Sequence, residues 1–265
     1  MIFETHAHYD DEKFKNDQDE TIKRVHDSGV DPIINVGASI GSTKTTLALA
    51  DKYDFIYAAV GVHPSDISGL NEETFDWLKK QTMLEKTVAV GEIGLDYYWD
   101  KEPDIQEAQR YWFKRQLSLA KESSLPVIIH SRDAAEDTMQ IMKEACAQDI
   151  EGVIHCYSYS KEMALEFIKL GFYIGVGGVV TFKNAKKLVE TVAEIPLDRI
   201  LLETDCPYMA PEPKRGTRND SSNIPYVIEK IASIKGITAG EVEDITRKNA
   251  FNLFRKIKGA VKKVP

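Results

Sequence analysis

Eight short, almost uniformly apolar runs recur along this chain and constrain its fold more than any other feature. They are Met1–His6, Asp31–Gly37, Phe55–Val62, Thr87–Glu92, Pro126–His130, Gly152–His155, Phe172–Val176 and Arg199–Asp205. Runs of this length, rich in β-branched residues and without polar alternation, suit strands buried on both faces of a parallel sheet. They start about 20–40 residues apart, which leaves room for a crossover helix between each pair. The intervening segments carry helix signals. Asn71 is placed to cap a helix over Glu72–Gln81, whose opening Glu72 and Glu73 suit the positive end of the helix dipole. Ser160 similarly precedes Lys161–Leu170, with Met163, Phe167 and Leu170 on one face and Gly171 as the stop. Asp104–Ser123 and Arg132–Gln148 read as longer helices of the same kind. Eight β/α units in unbroken series predict a (β/α)8 TIM barrel; a doubly wound open sheet accommodates the same units and is the competitor. With no linker, repeat or low-complexity tract, residues 1–265 are expected to form one domain.

Composition narrows the function classes. Lys and Arg number 34 against 42 Asp and Glu, a net charge of −8 that argues against a sequence-reading nucleic-acid binder with a broad basic face. It leaves room for an enzyme that grips a few phosphates. No apolar run approaches the ~18 residues of a membrane span, so no membrane association is expected. Cys146, Cys156 and Cys206 form no CxxC spacing and no disulfide framework. With no secretory start at the N-terminus, a reducing, cytoplasmic setting is expected, with no obligate protein partner.

In a barrel, chemistry collects at the C-terminal ends of the strands. Those ends hold His6, His8, His63, His130 and His155, five of the six histidines, together with Glu92 and Asp205. His6 and His8 are two apart on an extended segment and project to the same side. With Glu92, His130, His155 and Asp205 they offer six imidazole and carboxylate ligands. Such a set binds Zn²⁺, Mn²⁺, Fe²⁺ or Ni²⁺, and Mg²⁺ less ideally. Six ligands exceed the needs of one four-coordinate ion, so two divalent ions are expected, with Glu92 as their bridge. His63 is metal-adjacent, substrate-contacting or merely set before a Pro turn, and as a strand-end residue it reads first as a substrate contact, while His26, inside a helix, reads as a surface or packing residue. Glu4 and Glu203 fall one layer below as a buried network.

Two motifs are decoys. Gly37-Ala38-Ser39-Ile40-Gly41 matches a nucleophile elbow, but no histidine follows late enough in the chain to complete its triad. Ser39 therefore reads as helix-start chemistry. Gly175-Val176-Gly177-Gly178 lacks the third glycine of a dinucleotide loop, since Val180 stands there, although its glycines could let backbone amides approach a phosphate. Cys156 and Cys206, beside His155 and Asp205, read as buried thiols.

These residues lie in stretches with a recognisable pattern. Thr5-His6-Ala7-His8, Gly61-Val62-His63-Pro64, Gly91-Glu92-Ile93-Gly94-Leu95-Asp96-Tyr97 and Pro126-Val127-Ile128-Ile129-His130-Ser131-Arg132 carry it, as do His155-Cys156-Tyr157-Ser158, Leu202-Glu203-Thr204-Asp205-Cys206-Pro207-Tyr208 and the segment from Pro211 to Asn219. In these stretches the chain resembles the TatD-type metal-dependent deoxyribonucleases, amidohydrolase-like barrels, over about residues 1–254. The resemblance implies a (β/α)8 fold, two divalent ions and hydrolysis of nucleic-acid phosphodiesters. It implies one ion on His6, His8, Glu92 and Asp205, and the other on Glu92, His130 and His155. Glu4, Tyr159 and Asp220-Ser221 depart from the pattern, Tyr159 in a way that bears on the loop after strand six.

A metal-bound water can have its pKa lowered from ~15.7 to ~7, so hydrolysis would need no Ser or Cys nucleophile. The expected activity is exonuclease-like cleavage of DNA by a metal-activated hydroxide, with Glu92 and Asp205 catalytic and Asp205 as general base. Arg132, Arg215 and Arg218 are the expected phosphate contacts, Arg being suited to bidentate grip. The alternatives are an amide or ester hydrolase on the same scaffold, including deacylation of aminoacyl-tRNA, and a non-catalytic metal-binding scaffold.

Overall fold

In the computed structural model, which describes residues 1–146 and 149–257, every apolar run becomes a parallel strand. The strands are β1 (Ile2–Ala7), β2 (Val30–Val36), β3 (Ile56–Val60), β4 (Thr87–Asp96), β5 (Val127–Arg132), β6 (Gly152–Ile154), β7 (Tyr173–Val176) and β8 (Ile200–Leu202). They pair in simple sequence order from β1 to β8. A doubly wound sheet would reverse its strand order part-way, so that competitor is excluded. Closure comes from a parallel bridge between Ala7 and Cys206. There the His8 N–H donates to the Cys206 carbonyl at 2.9 Å, and the Asp205 N–H donates to the His6 carbonyl at 3.0 Å. The fold is a (β/α)8 barrel.

The helices are α1 (Gln18–Asp27), α2 (Ile40–Lys52), α3 (Glu72–Gln81), α4 (Pro103–Ser123), α5 (Ala135–Cys146), α6 (Lys161–Lys169), α7 (Lys186–Glu194), α8 (Ile224–Lys235) and α9 (Ala239–Leu253). Their starts follow the sequence signals. Asn71 accepts from the Thr74 N–H in a reciprocal capping box, and Ser160 accepts from the Met163 N–H. Ser39 likewise caps α2 by accepting from the Ser42 N–H at 3.0 Å, so its hydroxyl serves the helix start. The helix expected from Arg132 starts later, at Ala135, because β5 continues through Arg132. Arg132 is held in the sheet by β4, which runs past Glu92 to pair Asp96 with it. The expected end of that helix, Gln148, lies outside the described residues. None of the described helices is long and apolar enough to cross a membrane.

The barrel interior is layered. Phe3, Ile34, Val36, Ala59, Val88, Ile128, Val153 and Leu201 form an apolar floor, plugged from below by Leu253, Phe254 and Ile257 at the end of α9. Side chains two residues further along each strand point the same way but higher. Ile128 is thus followed by His130, Val153 by His155, and Leu201 by Glu203 and Asp205. In β1 the register shifts on both sides of Glu4. An irregularity of that kind re-aims side chains, and here Phe3 joins the floor while His6 reaches the mouth. The Phe3 ring packs against Phe251 and Phe254 at 5.1 and 6.0 Å. Replacing the fully buried Phe254 by Ala should cost about 3–5 kcal/mol in denaturant unfolding. A cost below ~1 kcal/mol would show that the floor does not depend on this plug.

Candidate metal centre at the barrel mouth

Four histidines and two carboxylates converge above the floor. The Nε2 atoms of His6 and His8 approach to 3.0 Å. His8 Nδ1 donates to the Val36 carbonyl at 2.9 Å, so that once the ring is neutral its Nε2 lone pair faces the mouth. Glu92 lies at the centre with only 4% of its surface exposed. Its Oε1 is 2.7 Å from His155 Nε2 and 2.9 Å from His130 Nδ1. Its Oε2 faces the opposite way, 3.4 Å from His6 Nε2 and 3.7 Å from His8 Nε2. Asp205 Oδ1 completes that second side, 3.5 Å from His8 Nε2 and 3.8 Å from His6 Nε2. Asp205 holds a left-handed backbone, φ +58°, of the kind retained at functional sites where surrounding structure over-determines it.

The electrostatics reflect this crowding. Burial opposes ionisation of Glu92, but the charges of His155 and His6 and hydrogen bonds from His130 and His155 hold its carboxyl well below the usual range. Burial likewise opposes the charged form of His155, yet the adjoining Glu92 carboxylate raises it to about 10. His8 rises to about 9 because hydrogen bonding to Asp205 and that residue's charge overcome its burial. His6 falls to about 4, through burial and then repulsion by His155. His6 Nδ1, His155 Nδ1 and Glu203 Oε2 are buried without a hydrogen-bond partner.

This donor set fits divalent metal. Ligand atoms bound at ~2.0–2.1 Å to a tetrahedral ion stand about 3.4 Å apart, close to the 3.0–3.8 Å separations among His6, His8 and Asp205. Among the described residues those three form one group with ligand spacing, His63, Glu92 and His130 form a second, and His6, His155 and Glu203 a third. Neutral imidazoles and ionised carboxylates are the required ligand states.

Of the expected substrate contacts, Arg215 and Arg218 are exposed and His63 and Arg132 half-buried, and one of the four has its donors taken. His63 accepts the Ser65 N–H on Nδ1 at 3.2 Å, which leaves its Nε2–H directed toward Glu92 Oε1 at 3.9 Å. The Arg132 guanidinium lies on the Tyr98 ring, 3.9 Å from its centroid. Arg215 lies on Phe182 at 4.4 Å. Neither arginine spends a donor on another group among the described residues. Arg218 differs from the expectation of a phosphate clamp. Its donors are taken by Asp17, at 2.5 and 2.7 Å, and by the Lys13 carbonyl at 2.7 Å. The segment after Asp205 folds back on the first β/α connection, and Arg218 fastens it there.

Other expectations resolve as packing. Protein packs closely against the glycines at the end of β7: a Cβ on Gly175 would come within 2.4 Å of Glu203 Oε2, and one on Gly178 within 2.1 Å of the Met209 carbonyl. Glu4 accepts the His6 and Thr204 N–H groups, and Glu203 accepts the Cys156 N–H at 2.5 Å, so both form the buried network expected below the ligands. His26 stacks on Phe55 at 3.8 Å. Cys206 is buried, while Cys156 is only half-buried. Tyr159 ties the loop after β6 to the start of α5 through Ser131 Oγ and the Ala134 N–H. Asp96 escaped the sequence reading. Its Oδ2 lies 3.1 Å from His130 Nε2 while Oδ1 accepts the N–H groups of Tyr98 and Trp99. It shares strand parity with Glu92, a signal hidden by expecting β4 to stop there.

Comparison with known proteins places this geometry. A family model described as TatD related DNase matches residues 3–255. The chain belongs to the TatD family. A Bacillus subtilis relative, the uncharacterized metal-dependent hydrolase YabD, is 47% identical over 96% of this chain and 99% of its own. The 3'-5' ssDNA/RNA exonuclease TatD of Erwinia tasmaniensis is 33% identical over 91% and 95%. Among solved structures, the TatD homologue YjjV of Escherichia coli superposes with a TM-score of 0.89 at 33% identity, covering 96% of this chain and 98% of the other. The chain is thus a TatD-family metal-dependent hydrolase.

The raised His155 and His8 are protonated in the metal-free protein near neutrality, and a metal ion requires them neutral. Loading Zn²⁺ or Mn²⁺ at about pH 7.5 should therefore release protons. Titration calorimetry in buffers of different ionisation enthalpy reads this as a buffer-dependent heat, with affinity rising as pH is raised. A heat independent of buffer would contradict the protonation states assigned here.

Proposed function

We propose that this TatD-family protein is a two-metal nuclease that removes nucleotides from the end of single-stranded DNA. The observation that carries the reading is Glu92, whose two oxygens face separate groups of ligands. His6, His8, Glu92 and Asp205 would hold one divalent ion, and Glu92, His130 and His155 the other. Such ions neutralise phosphate charge and lower the pKa of water, which supplies the nucleophile without a Ser or Cys. Asp205, with Oδ1 toward His6 and His8, orients the attacking water and takes its proton. His63 presents Nε2–H on the opposite side, placed to donate to a phosphate oxygen. Arg132 stands two residues beyond His130 on β5, about 7 Å further up the strand, and its guanidinium, which donates to no group among the described residues, suits the next phosphate. Arg215 offers the same chemistry from the segment after β8. The exonuclease polarity of the Erwinia tasmaniensis relative supports the choice of single-stranded ends.

With a net charge of −8, affinity should come from few phosphates. Each contact adds about −0.7 to the salt slope on single strands, so two or three give roughly −1.4 to −2.1. Arg132→Ala or Arg215→Ala should weaken binding of a non-hydrolysable oligonucleotide and flatten that slope by under one unit. Arg218→Ala should instead lower thermal stability and leave the slope unchanged, because Asp17 occupies its donors.

The test of function is turnover of oligonucleotides beside amide, lactone and aminoacyl-tRNA substrates, in matched metal. Nucleotide release from DNA is expected, with Asp205→Asn retaining metal and losing about 100-fold or more in kcat, and Glu92→Gln losing metal. Hydrolysis of the amides or esters with no phosphodiester cleavage would overturn the reading. So would near-normal turnover by Asp205→Asn.

A further inference from the structure

The connection after β4 carries two large aromatic side chains that the core does not use. Trp99 is 67% exposed and Tyr98 43% exposed, although both follow directly on a buried strand. A single exposed apolar side chain is ordinary on a protein surface; what sets these two apart is that they are paired and fixed beside the barrel mouth. The two rings meet edge to face, with centroids 4.7 Å apart and planes at 86°. Arg132 covers one face of Tyr98 at 3.9 Å and lies 5.5 Å from the Trp99 centroid.

The pair is held in place. The Asp96 carboxylate accepts both the Tyr98 and Trp99 N–H groups at 3.0 Å through one oxygen. Its other oxygen meets His130 Nε2 at 3.1 Å. Gln109 of α4 clamps the Asp96 backbone from the opposite side and donates to Asp100 at 2.8 Å. The aromatic pair is thus built onto the same carboxylate that touches His130, a proposed metal ligand, beside an arginine whose guanidinium donates to no other group among the described residues. A preorganised ring costs little ordering entropy on binding.

We propose that Trp99, braced by Tyr98 and Arg132, is a stacking platform for a nucleobase next to the scissile phosphodiester, with Arg132 on the neighbouring phosphate. The assignment rests on the nuclease reading above and deepens it, naming single-stranded nucleic acid with an unpaired base as the ligand. Every base has a π-face, so the platform grips the strand without reading its sequence. It also gives an acidic protein affinity that does not depend on a wide basic surface. A base inside a duplex has both faces covered by its neighbours, so the platform favours single strands.

The experiment compares wild type, Trp99→Ala and Trp99→Phe on a single-stranded oligonucleotide. A matched oligonucleotide carries an abasic residue at either nucleotide flanking the cleaved bond. On the intact strand, Trp99→Ala should raise KM by roughly 5- to 100-fold with kcat little changed, and Trp99→Phe should recover most of the loss. Removing the base should cost wild type a similar factor and cost Trp99→Ala almost nothing, because both changes delete one contact. Trp99 is exposed, so its loss leaves the core intact, and circular dichroism with metal content verifies this. If KM is unchanged in Trp99→Ala, or if the abasic strand loses as much in the variant as in wild type, the platform is refuted while the nuclease reading stands. If wild type cleaves no oligonucleotide, the nuclease reading fails and takes the platform with it.

Discussion

Placing the Glu92 carboxylate at the centre of a histidine-lined barrel mouth determines most of what surrounds it. An isolated carboxylate so deeply buried would be far too costly to keep charged. It is tolerated because imidazoles stand on both sides, and because those imidazoles need it equally. His155 and His8 are held protonable chiefly by Glu92 and Asp205, while His6 and His63 are pushed down, first by burial and then by a neighbouring imidazole. The apolar floor below excludes water from one side and makes these pairings strong. A metal ion would replace protons in this arrangement, and the donor atoms of His6, His8 and Asp205 already stand at ligand-to-ligand spacing.

The barrel fold makes such a convergence geometrically inexpensive. Each strand supplies a floor residue and, two positions later, a mouth residue, so one alternating pattern builds the core and the site together. β1 is the exception that shows the rule, since its shifted register delivers Phe3 downward and His6 upward. The closing contacts between β1 and the segment after β8 bring Asp205 beside His6 and His8. Asp205 therefore reaches the site through closure of the barrel, in a left-handed conformation that an open chain would rarely adopt.

The parts legible in the sequence are those set by short-range pattern. The eight apolar runs, the caps at Asn71 and Ser160 and the histidines at strand ends depend on neighbours a few residues away, and each is found where expected. What escaped depends on contacts across the chain. Arg218 looked free because the partner that holds it, Asp17, lies some two hundred residues earlier in the sequence. Nothing local shows Glu203 and Met209 pressed against the glycines at the end of β7. Asp96 was missed because the length of β4 is decided by its pairing with β5. The expectation of Cys156 as a buried thiol met a half-buried side chain, since its positive φ turns the backbone at the end of β6.

Glu92 serving two ions at once is our central proposal, and anomalous diffraction from Mn²⁺- or Zn²⁺-loaded crystals tests it most directly. It predicts two peaks about 3.5–4 Å apart on either side of the Glu92 carboxylate. One would lie among His6, His8 and Asp205, the other between His130 and His155. A single peak at full loading, or peaks that leave Glu92 without a bound ion, would contradict it.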